Sequence, residues 1–127
     1  MLYSILIYGS EESVEAWTLQ QEDEVLGRHA ALRASLLKQG RLGPVLRLEP
    51  NTATVVRRAG EQPIVTDGPF AETKEQLMGI YIVDCPTLED AVRATRELAF
   101  DTGVFEIRPV PWLDPGVVPA RTPPTLR

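Results

Sequence analysis

Runs of aromatic and β-branched residues alternate with two helical patterns, and this order constrains the fold more than any other feature of the chain. Met1–Tyr8 (MLYSILIY) reads as a strand, closed by Gly9-Ser10-Glu11-Glu12. From Thr18 to Gln39 the residues Val25, His29, Leu32 and Leu36 recur at i, i+4, i+7 and i+11, one face of a helix. Thr18 and Gln21 have capping-box spacing, and the Glu22-Asp23-Glu24 cluster suits the positive end of the helix dipole. Gly40 is a natural left-handed terminator.

Shorter strands are expected at Val45–Leu48 and Ala53–Arg58, either side of the Glu49-Pro50-Asn51 turn. Ala59-Gly60-Glu61 marks a further turn, Ile64-Val65 leads into an Asp67-Gly68-Pro69 corner, and Thr73–Met78 has the pattern of a single helical turn. Gly79–Cys85 (GIYIVDC) is a buried-type strand. Thr87 caps a second helix, for which Leu88, Ala91, Val92, Thr95, Leu98 and Ala99 form the expected buried stripe. Asp101-Thr102-Gly103 stops it before a last strand, Val104–Val110.

That order is the split βαβ or ferredoxin-like arrangement, an α+β fold with two helices on one face of an antiparallel sheet. The other face is then apolar and uncovered, so a homodimer joined through the sheets is a physical expectation. One domain is expected over residues 1–110. Residues 111–127, with Pro111, Pro115, Pro119, Pro123 and Pro124, read as an extended arm. Trp112 could anchor that arm on a partner subunit, or the segment is a loosely ordered terminus.

Composition removes several classes of function. A net charge of −5, with Lys38 and Lys74 the only lysines, argues against direct grip on nucleic acid backbones. One cysteine, Cys85, makes no intrachain disulfide, and one His with one Cys builds no zinc site, so no metal is expected. No apolar stretch approaches the roughly 20 residues of a membrane span, and no secretory leader is evident, so no membrane association and a cytoplasmic location are expected. Nucleophile elbow, phosphate-cradling loop and dinucleotide fingerprint are all missing, and no cofactor is expected.

Val65–Leu77 (VTDGPFAETKEQL) is denser in specific chemistry than a strand connection needs. With Tyr3, Leu6-Ile7-Tyr8, Ala53–Arg57, Gly79, Tyr81, Asp84-Cys85-Pro86 and Glu106–Val110, it resembles the DGPF-motif branch of the YCII-related family over about residues 1–110. The resemblance implies a dimeric α/β barrel of ferredoxin-like subunits, and for most members no reaction is established. Met78-Gly79-Ile80-Tyr81 stands where such proteins usually read Gly-Gly-Phe-Tyr, which alters one wall of the expected pocket.

His29, eleven residues before Gly40-Arg41-Leu42, occupies a position where YCII-like relatives carry a His that works with an Asp in the catalytic ones. Imidazole exchanges protons near neutral pH. The competing reading is a core histidine satisfied by a backbone carbonyl or a carboxylate. Asp67 is the first expected carboxylate partner and Glu106 the second. Arg57, Phe70, Lys74, Tyr81 and Arg108 are candidate substrate-binding residues, with Arg57 or Lys74 holding a carboxylate or enolate oxygen. Glu72–Glu75 reads equally as a solvated face, and Arg57 and Arg108 as cross-strand salt-bridge partners.

Three readings compete at this point. One is a small cofactor-independent enzyme of lyase, isomerase or dehalogenase type, using a His29–Asp67 pair on a small carboxylated or phenolic substrate. Another is a non-catalytic ligand-binding or regulatory module associated with an extracytoplasmic-function sigma factor, which the resemblance suggests. A structural homodimer with a vestigial pocket is a third.

Overall fold

A computed structural model describes residues 1–10, 16–68, 75–98 and 103–117. Strand β1 (Leu2–Gly9) is followed by helix α1 (Leu19–Lys38) and strands β2 (Leu42–Arg47), β3 (Thr54–Ala59), β4 (Gln62–Asp67) and β5 (Gln76–Asp84). Helix α2 (Leu88–Arg96) and strand β6 (Val104–Pro109) complete the order. Four strands form one sheet in the order β2-β5-β1-β6, each neighbour antiparallel. β1 and β2 therefore run parallel with β5 between them, the split βαβ connection of a ferredoxin-like α+β fold. β3 and β4 pair only with each other, as a hairpin inserted between β2 and β5.

Alternation along the strands sorts the two faces. Tyr3 and Ile5 of β1 and Tyr81 and Val83 of β5 are buried with Leu32 and Leu36 of α1 and with Ala91, Leu98 and Cys85. Ile7, Phe105 and Ile107 extend this core. The register puts Leu6 opposite both Ile80 and Glu106, and Ser4 opposite Ile82 and Arg108, on the other face. Leu46 joins that face through its pairing with Ile80. It is mostly apolar along β1, β5 and β2, while β6 adds Val104 and the polar Glu106 and Arg108.

Local signals fix the helix ends. Gln21 N–H donates to Thr18 Oγ1 at 3.1 Å while Thr18 N–H donates to Gln21 Oε1 at 2.8 Å, the reciprocal capping box. Gly40, at φ 70°, turns the chain out of α1. At α2, Asp90 N–H donates to the Thr87 hydroxyl. Among the described residues no helix is long and apolar enough to cross a membrane.

Three expectations change. Gln76, Leu77 and Met78 are extended, not helical: Gln76 pairs with Gly9 and Leu77 with Tyr8, across an irregularity between Ile7 and Tyr8. Thr73 and Lys74 lie outside the described residues. β2 begins at Leu42 because an irregularity between Leu42 and Val45 absorbs Gly43 and Pro44. A Cβ at Gly43 would stand 2.7 Å from the Ile82 carbonyl oxygen, so the strand closes there only on glycine. Leu88, assigned to the buried stripe, is half-exposed, because α2 turns Ala91 and Thr95 inward and places Leu88 at its open first turn. Ala99 lies outside the described residues. The proline-rich arm has no regular structure as far as Val117, with Trp112 exposed, and residues 118–127 lie outside the described set.

Candidate functional site

At one end of the sheet, β1 and β2 finish while β5 and β6 begin, and α1 passes above. A cavity of about 280 Å³ lies there. Its floor is Ile7, Gly79 and Phe105, and its helix wall carries Glu22, Leu26, His29 and Arg33. Arg47, the last residue of β2, closes one side. Arg47 pairs with Gly79 across the strands, which puts it on the α1 side of the sheet. Gly79 contributes no side chain, and the floor stays open beneath the imidazole.

His29 is held by a neighbour that sequence spacing does not connect to it. Its Nδ1 lies 2.7 Å from the Tyr81 hydroxyl, with the ring centroids 5.8 Å apart. Arg33, one turn further along α1, brings its positive charge near the same hydroxyl. Tyr81 is 2% exposed, and its buried O–H needs an acceptor, which among the described partners is His29 Nδ1. The imidazole proton is thereby assigned to Nε2.

Electrostatics agree with a neutral ring. Partial burial, then the positive charges of Arg33 and Arg47, lower the His29 pKa from 6.5 to about 4. Burial pushes the Tyr81 hydroxyl above its usual range, against the opposing influence of the Arg33 guanidinium. At neutral pH the site holds an uncharged imidazole, an un-ionised phenol and two guanidinium groups.

The candidate residues read from sequence fall in different places. His29 and Tyr81 come together, with Tyr81 bound to the imidazole. Asp67, expected beside His29, is exposed on β4 opposite Thr54 and does not line the cavity. Glu106 is on the far face of the sheet, where the Tyr8 hydroxyl donates to it at 3.4 Å. Arg57 is exposed on the hairpin opposite Ile64, and Arg108 is exposed on β6 opposite Ser4. Phe70 and Lys74 lie outside the described residues. Arg33 and Arg47 were missed, although Arg33 sits four residues from His29 on the same helical face, a signal available in the sequence.

A second hollow of about 590 Å³ runs between the helices over Cys85. Burial pushes the Cys85 thiol above its usual range, so little of it is thiolate. Among the described residues no group of three or more His, Cys, Asp or Glu side chains is placed to hold a metal ion.

The model of the YCII-related domain matches residues 1–113 of this chain. An uncharacterized protein of Rhizobium meliloti (strain 1021) is 40% identical over 124 residues, covering 94% of this chain and 100% of its own.

Proposed function

This chain belongs to the YCII-related family, and on that premise we propose that it handles a small molecule in the cavity beside α1, with His29 as the group that passes a proton. The Asp67-Gly68-Pro69-Phe70 run supports a place in the DGPF-motif branch. The observation that carries the functional reading is the His29–Tyr81 hydrogen bond at the cavity wall, with the Arg33 guanidinium nearby. A proton leaves Nε2 for the bound molecule as Nδ1 takes the Tyr81 proton, and the resulting phenolate is left near the positive charge of Arg33. The ring thus stays uncharged throughout, avoiding an imidazolium that the neighbouring cations disfavour. Cofactor-independent lyase, isomerase or dehalogenase chemistry on a compact carboxylated or phenolic substrate is within reach of such a relay.

A thermal-shift screen identifies molecules that bind, and turnover of each is then compared in the parent and in His29→Gln. Loss of about 10²–10⁴-fold is expected from removing a proton-transfer group. Unchanged turnover sinks the mechanism. The regulatory reading, a partner of an extracytoplasmic-function sigma factor, has no feature among the described residues to carry it.

We also propose that two copies pair through the far sheet face, giving a dimeric α/β barrel. Leu2, Leu6, Ile80 and Ile82 are only partly covered in the protomer, and Leu46 and Val104 are 45% and 48% exposed. Sedimentation equilibrium should give twice the 14.1 kDa chain mass, and a concentration-independent single-chain mass refutes the pairing.

A further inference from the structure

We infer that the cavity selects an organic anion, its carboxylate, enolate or phenolate oxygen held between Arg33, Arg47 and the Nε2–H of His29. This rests on the small-molecule reading above and deepens it by naming the ligand class and the residues that recognise it. Three observations converge. Arg33 on α1 and Arg47 on β2 bring guanidinium groups from two different elements to the same cavity as His29. The Tyr81 hydroxyl occupies Nδ1, so the imidazole has a donor, Nε2–H, left to offer. Ile7, Leu26 and Phe105 supply an apolar bed for the carbon skeleton.

The chain carries a net charge of −5, yet Arg33 and Arg47 both line this cavity, along with the carboxylate of Glu22. Glu22 lies in the first turn of α1, whose N-terminal dipole already favours its charge. Paired guanidinium groups bind planar oxyanions through parallel charge-assisted bonds, more strongly than neutral donors do.

Titration calorimetry at pH 7 with benzoate, its neutral counterpart benzamide and cationic benzylamine tests this. Benzoate is expected to bind at least about 10-fold more tightly than the other two, the weight of one charge-assisted hydrogen bond. Arg47→Gln, an exposed position whose replacement leaves the core intact, should bring benzoate down to the level of benzamide. Arg33→Gln should do the same, and Arg33→Lys should restore part of the preference, so a folding defect in one variant does not decide the result. Equal binding of benzoate and benzamide, or a preference that survives both Gln substitutions, overturns the anion assignment while leaving the small-molecule pocket in place. No saturable binding by any of the three, with the His29 ring resonances unmoved, overturns the pocket reading and this one together.

Discussion

Ile5→Ala is expected to lower the stability of the fold by about 2–5 kcal/mol, the range for truncating a fully buried aliphatic side chain. Ile5 has no exposed surface and sits on β1, one of the sheet's two inner strands, directly opposite Tyr81 on one side and Ile107 on the other. Its side chain faces the helices, and the space left by its loss is walled by two strands and cannot collapse without shifting their register. Leu6→Ala is the matched control, since Leu6 is next in sequence but points to the other face. In urea denaturation Ile5→Ala should move the midpoint strongly at constant slope. If the two substitutions cost the same in an isolated protomer, the assignment of the sheet's inner face is wrong.

Tyr81→Phe should have the largest effect at the site while conserving shape. It leaves a partly buried Nδ1 without its donor, at a cost of about 1–3 kcal/mol. It also removes a hydrogen bond donated to the neutral ring, and the His29 pKa should rise. In the parent protein the folded pKa, near 4, lies below the unfolded 6.5, so the unfolded chain binds the extra proton first. The stability linked to His29 is therefore fully present above pH 6.5 and is lost as pH falls towards 4. For a ring only partly buried this amounts to roughly 1–2 kcal/mol. Denaturation midpoints of parent and His29→Gln, compared at pH 7 and pH 4.5, should converge at the lower value. A constant difference across that interval would contradict the depressed pKa.

The architecture was legible where local chemistry and burial agree. Tyr3, Ile5 and Ile7 alternate, Thr18 and Gln21 cap α1, and Gly40 ends it, and each of these signals acts over a few residues. Extension of Gln76–Met78 was not legible, because those residues have helical propensity and are made into strand by pairing with β1, far away in sequence. The separate β3–β4 hairpin was hidden for the same reason: the sequence marks strands but does not say which sheet they join.

At the site, the helical spacing identified His29 as an inward-facing group, but not its partner. The expectation of a carboxylate came from relatives, whereas in this fold the Nδ1 contact is a tyrosine on β5, 52 residues away. Arg47 could not have been recognised as a site residue, since only its pairing with Gly79 turns it towards α1.

One imidazole exists in the chain, so its ring nitrogen spectrum needs no assignment. Nitrogen-15 NMR of the histidine across the acid range reads tautomer and pKa together. The proton should sit on Nε2 at pH 7 and the ring should titrate near pH 4. Titration at the ordinary 6.5, or a proton resident on Nδ1, would mean that the Tyr81–His29 bond and the neighbouring guanidinium groups do not govern the site.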